Sequence, residues 1–328
     1  MKLKGLANPM FPSYEFIERT ASEIGFQLSP LEKVILLGDF AGDVARHPFL
    51  GKVLVLKGGT ALNLCFGPPS RLSVDLDYNY IGHLERNEML EDRQKVEDAI
   101  LELAKRKGYL VQWSADSFAG RKVFLTYASA LGINDRIEID LNFIFRLPLK
   151  EPGNRVLWQP GGLDRPSVRT VSMMELIVGK LLALIDRVAV RDVWDIGRLS
   201  DIDDDVLQSS LFRSYFIAMS ATLNYPLYNY KVEKLKDRID ETVVTQELVP
   251  LLTTDETALV EDRIARTWHV LGDFLSLSKN EEEYVTAVSG GDLALKLLFP
   301  SNSAEVEHLT KHPALAWKIQ NVRARLNK

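Results

Sequence analysis

The sequence predicts an α+β protein, with an N-terminal α/β domain containing a mixed sheet over residues 1–165 and a mainly helical domain over residues 166–328. Three observations predict it. Helical and strand-like patterns alternate through the first half, and strand signals nearly vanish after about residue 170. Between the two regions lies a stretch rich in Pro and Gly, from Glu151-Pro152-Gly153 through Gly161-Gly162 to Pro166. With 46% hydrophobic and 26% charged residues, the 328-residue chain is globular and too long for one small core.

The elements follow in order. Ser29-Pro30 before the apolar run 31–37 reads as a capped helix start with Pro at the first helical position. Residues 52–57 (Lys-Val-Leu-Val-Leu-Lys) form a short buried strand stopping at Gly58-Gly59, and Thr60 is expected to cap a short helix over 61–66. Ser73-Val74-Asp75-Leu76-Asp77-Tyr78 alternates strictly and predicts a second strand. A charged helix over 86–107, with Leu90, Val96, Ile100, Leu101 and Leu103 on its apolar side, closes at Gly108. Strands are expected over 109–113, 122–128 and 136–145. Then come a long apolar helix over 172–188, a shorter one over 193–199, and helices broken at Pro226, Pro250, Gly290-Gly291 and Pro300. The acidic run Asp201-Ile202-Asp203-Asp204-Asp205 reads as a loop and helix N-terminus.

Charge and cysteine content narrow the function classes. The chain carries 40 Lys+Arg against 45 Asp+Glu, divided as 21 and 21 up to Pro166 and 19 and 24 beyond it. A protein that coats nucleic acid through its overall field is therefore excluded, and any such contact must be local. Lys311, Lys318, Arg323, Arg325 and Lys328 form one basic stretch, which is also what a solvated terminal helix looks like. One cysteine, Cys65, excludes a disulfide scaffold and a cysteine-built metal site. Residues 1–20 lack an uninterrupted apolar core, and no later stretch approaches a membrane span, so the expectation is a cytoplasmic protein with no membrane partner.

The chemistry gathers on the second strand. At period two, Asp75 and Asp77 share one face while Val74, Leu76 and Tyr78 take the other. Two neighbouring carboxylates repel, which suits a divalent cation held by oxygen ligands, Mg²⁺ above all; a solvated edge strand is the plain alternative. Gly58, Gly59 and Thr60 stand where a strand turns into a helix, and backbone N–H groups unobstructed by a Cβ can hold phosphates there. Ser73, two residues before Asp75, would lie on the aspartates' face, where its hydroxyl can touch a nucleotide or accept a modification. Glu138, Asp140 and Asn142 share a face of a later strand, and a third carboxylate for the site can come from it. In the helix over 172–188, Lys180 is the single charge between residues 176 and 185. Helical spacing sets it in one stripe with Leu184, Arg187 and, if the helix continues, Arg191, facing phosphate oxygens or carboxylates. The alternative is a snorkelling Lys and two surface arginines paired with Asp186, Asp192 and Asp195. No Walker-type loop and no Gly-x-Ser-x-Gly elbow occurs.

Lys57-Gly58-Gly59-Thr60-Ala61-Leu62 followed by Ser73-Val74-Asp75-Leu76-Asp77-Tyr78 resembles the first motif of polymerase-β-like nucleotidyltransferases, specifically the AbiEii/AbiGii-type toxin family that includes the MenT toxins. The run Gly179 to Arg187 leading into Arg191-Asp192-Val193-Trp194-Asp195 is similar to that family's later motif. The resemblance covers about residues 50–200. It implies a nucleotidyltransferase-like first domain whose active site the helical domain completes, and transfer of a nucleoside monophosphate from an NTP to an acceptor, above all the 3′ end of tRNA. It also implies a toxin of a toxin–antitoxin or phage-defence system with a cognate antitoxin. Asp75 and Asp77 then hold metal, Gly58 and Gly59 the triphosphate, Lys180 balances phosphate charge, and Asp195 positions or catalyses, with Asp140 and Asp192 as further acids. Alternatives are nucleotidylation of a protein or small molecule, or a silent NTP-binding regulator acting through a partner protein.

Overall fold

The computed structural model describes residues 12–199 and 209–327. The acidic run at 201–205, Lys328 and residues 1–11 lie outside them. The described chain forms two compact units. One holds the described residues of Met1–Arg146, Glu151–Val171 and Pro250–Thr257; the other holds those of Leu147–Lys150, Ser172–Val249 and Ala258–Lys328.

The first unit begins with α1 (Tyr14–Ile24) and α2 (Leu28–Arg46), the latter burying Leu31, Val34, Ile35, Leu36, Leu37, Phe40 and Val44. Gln27, not Ser29, is the residue that caps α2, so Pro30 sits third in the helix. Its missing N–H is still harmless, because the first turn has no intrahelical acceptor. After the single turn α3 (Leu50–Val53), strand β1 (Leu54–Lys57) passes directly into α4 (Gly58–Cys65), and β2 (Asp75–Tyr80) follows. The long α5 (Arg86–Arg106) buries Met89, Val96, Ile100 and Leu103 but leaves Leu90 exposed. Strands β3 (Leu110–Trp113), β4 (Gly120–Ala128), β5 (Asn134–Asn142), β6 (Gly153–Val156) and β7 (Ser167–Thr170) complete one sheet.

Its order is β3-β4-β5-β2-β1-β7-β6, with β2/β5 and β1/β7 parallel and the other pairs antiparallel, which is the mixed sheet expected. Alternation divides it by face. Leu76, Tyr78, Tyr80, Val123, Leu125, Tyr127, Ile137, Ile139 and Leu141 are buried. The opposite face carries Asp75, Asp77, Lys122, Glu138 and Asp140. The Pro/Gly-rich stretch is not a plain linker, since β6 lies within it and pairs with β7 at the sheet edge. Every β6 residue is exposed, so the strand had no apolar alternation to announce it.

The second unit is helical among the described residues: α6 (Met173–Arg187), α7 (Val190–Gly197), α8 (Ser210–Ser220), α9 (Val260–Leu275), α10 (Lys279–Ser289), α11 (Ser303–Thr310) and α12 (Pro313–Leu326), with short turns between. Ser172 caps α6 by accepting from Glu175 N, and Ser278 with Glu281 forms a capping box on α10. Trp194, Phe212, Tyr215, Phe216, Leu271 and Tyr284 make its core. The basic stretch near the end is largely committed to the fold, with Lys311 paired to Glu307, Lys318 donating to Leu223 O and Arg323 to Gly291 O.

Candidate active site

In the first unit the chemistry is set by strand register. Lys57 on β1 is opposite Asp77 on β2; Asp77 is beside Asp140 on β5; and Asp140 is opposite Lys122 on β4. One transverse row of the sheet therefore reads Lys57, Asp77, Asp140, Lys122. Asp75 and Glu138 form the neighbouring pair. Lys122 bridges Glu138 and lies 3.8 Å from Asp140 Oδ2. Burial raises the Asp140 carboxyl above the ordinary aspartate range; Lys57 and Lys122 oppose the shift, whereas Asp77 and Glu138 add to it.

The turn from β1 into α4 adjoins this row. Gly58 has φ +70°, and a Cβ built there would lie 2.1 Å from Asp77 Oδ2, so only glycine allows the carboxylate to rest over the helix start. Thr60 is not the cap expected. The helix begins at Gly58 with Lys57 as its N-cap, and Thr60, fully buried, donates its hydroxyl to the backbone carbonyl of Asp75. That bond ties the start of β2 to α4. Ser73 precedes β2, which starts only at Asp75, and is buried at 5% exposure, so strand alternation does not fix which way it faces.

In the second unit Lys180 is drawn inward, 6% exposed, with Nζ 2.8 Å from Asp192 Oδ1 and 2.7 Å from Asp195 Oδ2. Both carboxylates are fully buried, and Arg187 donates to Asp192 through Nε at 2.7 Å and Nη2 at 3.1 Å. Burial alone would push Asp192 up, but Lys180 and Arg187 hold it below the ordinary range. Lys180 and Arg187 share α6 and both reach Asp192, but the stripe does not extend to Arg191. Val188 adopts φ 53° and ends α6, so Arg191 belongs to α7.

A family profile described as nucleotidyl transferase AbiEii toxin, type IV toxin–antitoxin system, matches residues 43–268. The chain belongs to the AbiEii nucleotidyltransferase toxin family. No curated protein sequence matches it. Among solved structures it is similar to MenT4, a nucleotidyltransferase toxin from Mycobacterium tuberculosis H37Rv, with a TM-score of 0.58 at 18% identity, covering 93% of this chain and 99% of that one. That likeness concerns the fold. The family assignment makes the protein a nucleotidyltransferase of a toxin–antitoxin family, with an NTP as substrate and an antitoxin as partner.

AbiEii-type transfer generally uses a divalent metal, and the residues present fit one. The Asp77 side chain makes no hydrogen bond or ion pair among the described residues; it is half-buried, shares its strand face with Asp75, and is in register with Asp140, so the donors available are all oxygens. Among the described residues no group of three or more His, Cys, Asp or Glu is gathered that could hold a metal ion. Two carboxylates that leave remaining positions to water and phosphate oxygens are the arrangement Mg²⁺ accepts. Sequence reasoning named both motif carboxylates and the acids of β5 but assigned nothing to Lys57 or Lys122. Their place in the row depends on which strands pair and in what register, which no single strand reveals.

Proposed function

We propose that this AbiEii-family toxin transfers a nucleoside monophosphate from an NTP to the 3′ end of tRNA, with Mg²⁺ as its metal, in a cytoplasmic toxin–antitoxin or phage-defence pair. One observation carries the catalytic part of this reading: the unpartnered Asp77 carboxylate beside Asp75, resting over the glycine that opens α4. Asp75 and Asp77 would hold the metal, with Asp140 as the third carboxylate. When bound, the metal supplies charge neutralisation at the phosphates and a template for in-line displacement. The first-turn N–H groups of Gly58 and Gly59 hold phosphate oxygens. The acceptor hydroxyl oxygen bonds to the α-phosphorus, the bond to the bridging oxygen breaks, and pyrophosphate departs. Lys180, Asp192 and Asp195 are assigned to the reaction from their motif, Arg187 and Arg191 to nucleotide binding on the same ground.

The acceptor is the open link, and labelling settles it. Purified protein is incubated with each α-labelled NTP, Mg²⁺, total RNA and protein extract. Label at the 3′ end of tRNA is expected. Label on protein or on small molecules would redirect the acceptor, and no transfer from any NTP would overturn the catalytic reading. Expression of the wild type should arrest bacterial growth, whereas the Asp75→Asn variant should not; harmless expression of an enzyme active in vitro would count against the toxin role.

A further inference from the structure

The transverse row holds two lysines in opposite states. Lys122 is engaged, bridging Glu138 and close to Asp140. Lys57, half-buried and in register with Asp77, makes no ion pair or side-chain hydrogen bond among the described residues. An ammonium kept partly out of water without a partner is unfavourable unless something else satisfies it. Its nearest carboxylate by register does not do so, because Asp77 rests over Gly58. Lys57 is also the N-cap residue of α4, immediately before the first-turn N–H groups that favour an anion. Cation, amide donors and unpartnered carboxylate thus meet at the single point where β1 becomes α4.

We propose that Lys57 is a phosphate-binding residue of the transfer site, its ammonium meeting the triphosphate of the incoming NTP beside the amides of Gly58 and Gly59. This rests on the nucleotidyltransferase reading above. A compact ammonium suits the task, acting as a point charge that can follow phosphate oxygens as pyrophosphate separates. Lys180, the lysine expected for this role, has its ammonium between two buried carboxylates. Its charge is met by direct ion pairs within its own unit, whereas Lys57, although its field reaches Asp140, makes no ion pair among the described residues.

The test uses the full chain and two readouts. In the first, an amine-acylating reagent is applied to wild-type protein with and without NTP and Mg²⁺, and again with inorganic tripolyphosphate and Mg²⁺, and acylation of Lys57 is followed by peptide mass spectrometry. Protection of Lys57 by both ligands is expected; equal labelling with and without them overturns the proposal. In the second, Lys57→Met and Lys57→Arg are compared with wild type in transfer assays. Loss of a charge-assisted contact should raise KM for NTP by roughly tenfold or more in Lys57→Met, with partial recovery in Lys57→Arg. A folded Lys57→Met with unchanged KM and kcat overturns the proposal, since a merely structural lysine would alter the melting temperature and leave KM in place. If Lys57→Met does not fold, the wild-type footprint decides. If wild-type protein transfers from no NTP, the catalytic reading fails, and the tripolyphosphate footprint still judges Lys57 on its own.

Discussion

Two charged clusters in this molecule are built on opposite principles. On the sheet, Lys57 and Asp77 stand in one row without an ion pair, and burial raises the Asp140 carboxyl despite Lys57 and Lys122 nearby. In the helical unit, Lys180, Asp192 and Asp195 form a buried network that the more exposed Arg187 joins from outside, each charge meeting an opposite one. A protein that leaves charges uncompensated on a half-buried face is prepared for a charged ligand, while a closed ion network fixes its own elements. The two clusters should therefore respond differently to the same kind of substitution.

The largest expected effect comes from Asp77→Asn. Removing one charge from the open row while keeping its shape should lower nucleotide transfer by on the order of a thousandfold. Stability should hold or rise, because repulsion of Asp140 is relieved. Transfer assays beside a melting curve check both. A variant that keeps its activity, or one that loses activity only by unfolding, would break the contrast between open and closed clusters.

The closed network gives the opposite signature in Lys180→Met. Two fully buried carboxylates would lose their shared cation, and breaking a buried pair this way costs about 3–5 kcal/mol. Denaturant unfolding should show that loss, with Lys180→Arg intermediate. A melting temperature that rises in Lys180→Met would show that the lysine is retained for chemistry at the expense of the fold, and would place this cluster with the first.

The pH dependence separates the clusters by sign. Asp140 has a folded-state pKa raised mainly by burial. As an acid shifted upward, it contributes relative stability below the unfolded value of about 3.9, and that contribution is lost as pH rises through its folded pKa. Asp192 is shifted downward, so its contribution is present above that unfolded value and is lost as pH falls through its folded pKa. Asp140→Asn should thus be more stable than wild type at neutral pH, with the gap closing as acid protonates the wild-type carboxyl. Unfolding free energies measured from pH 7 down to about 4 test this; a gap that widens in acid would reverse the assignment.

Much of this was legible before any coordinates. The alternation of 73–78 puts the two candidate carboxylates, Asp75 and Asp77, on one face because period two is a local property, and the lone charge in an apolar helix marks Lys180 as drawn inward. Its partners were named only as surface pairings for the arginines, since whether Lys180 meets Asp192 depends on Val188 turning the chain in a left-handed conformation that valine seldom adopts. Strand β6 escaped because an edge strand with four exposed residues has no pattern. Lys57 is visible in the sequence as part of a motif, yet its relation to Asp140 runs through two strand pairings, and register across strands is not written in either strand.

The smallest expected effect concerns how the open row is held in place. Thr60 is fully buried inside α4, and its hydroxyl donates to the Asp75 carbonyl, so the helix proposed to offer amides to phosphate also anchors Asp75, the first of the proposed metal ligands. Thr60→Val keeps the shape and β-branching while deleting the donor. Losing one buried hydrogen bond should cost about 1–2 kcal/mol, and transfer should fall only a few-fold as Asp75 loosens against Gly58 and Gly59. Thr60→Ser keeps the hydroxyl but loses a buried methyl, so it should recover most of the transfer rate while remaining slightly less stable than wild type. If activity instead followed stability across both variants, the bond would be ordinary core packing. If Thr60→Ser restored activity without restoring stability, the hydroxyl would be the link that keeps the cradle and the carboxylates in one geometry.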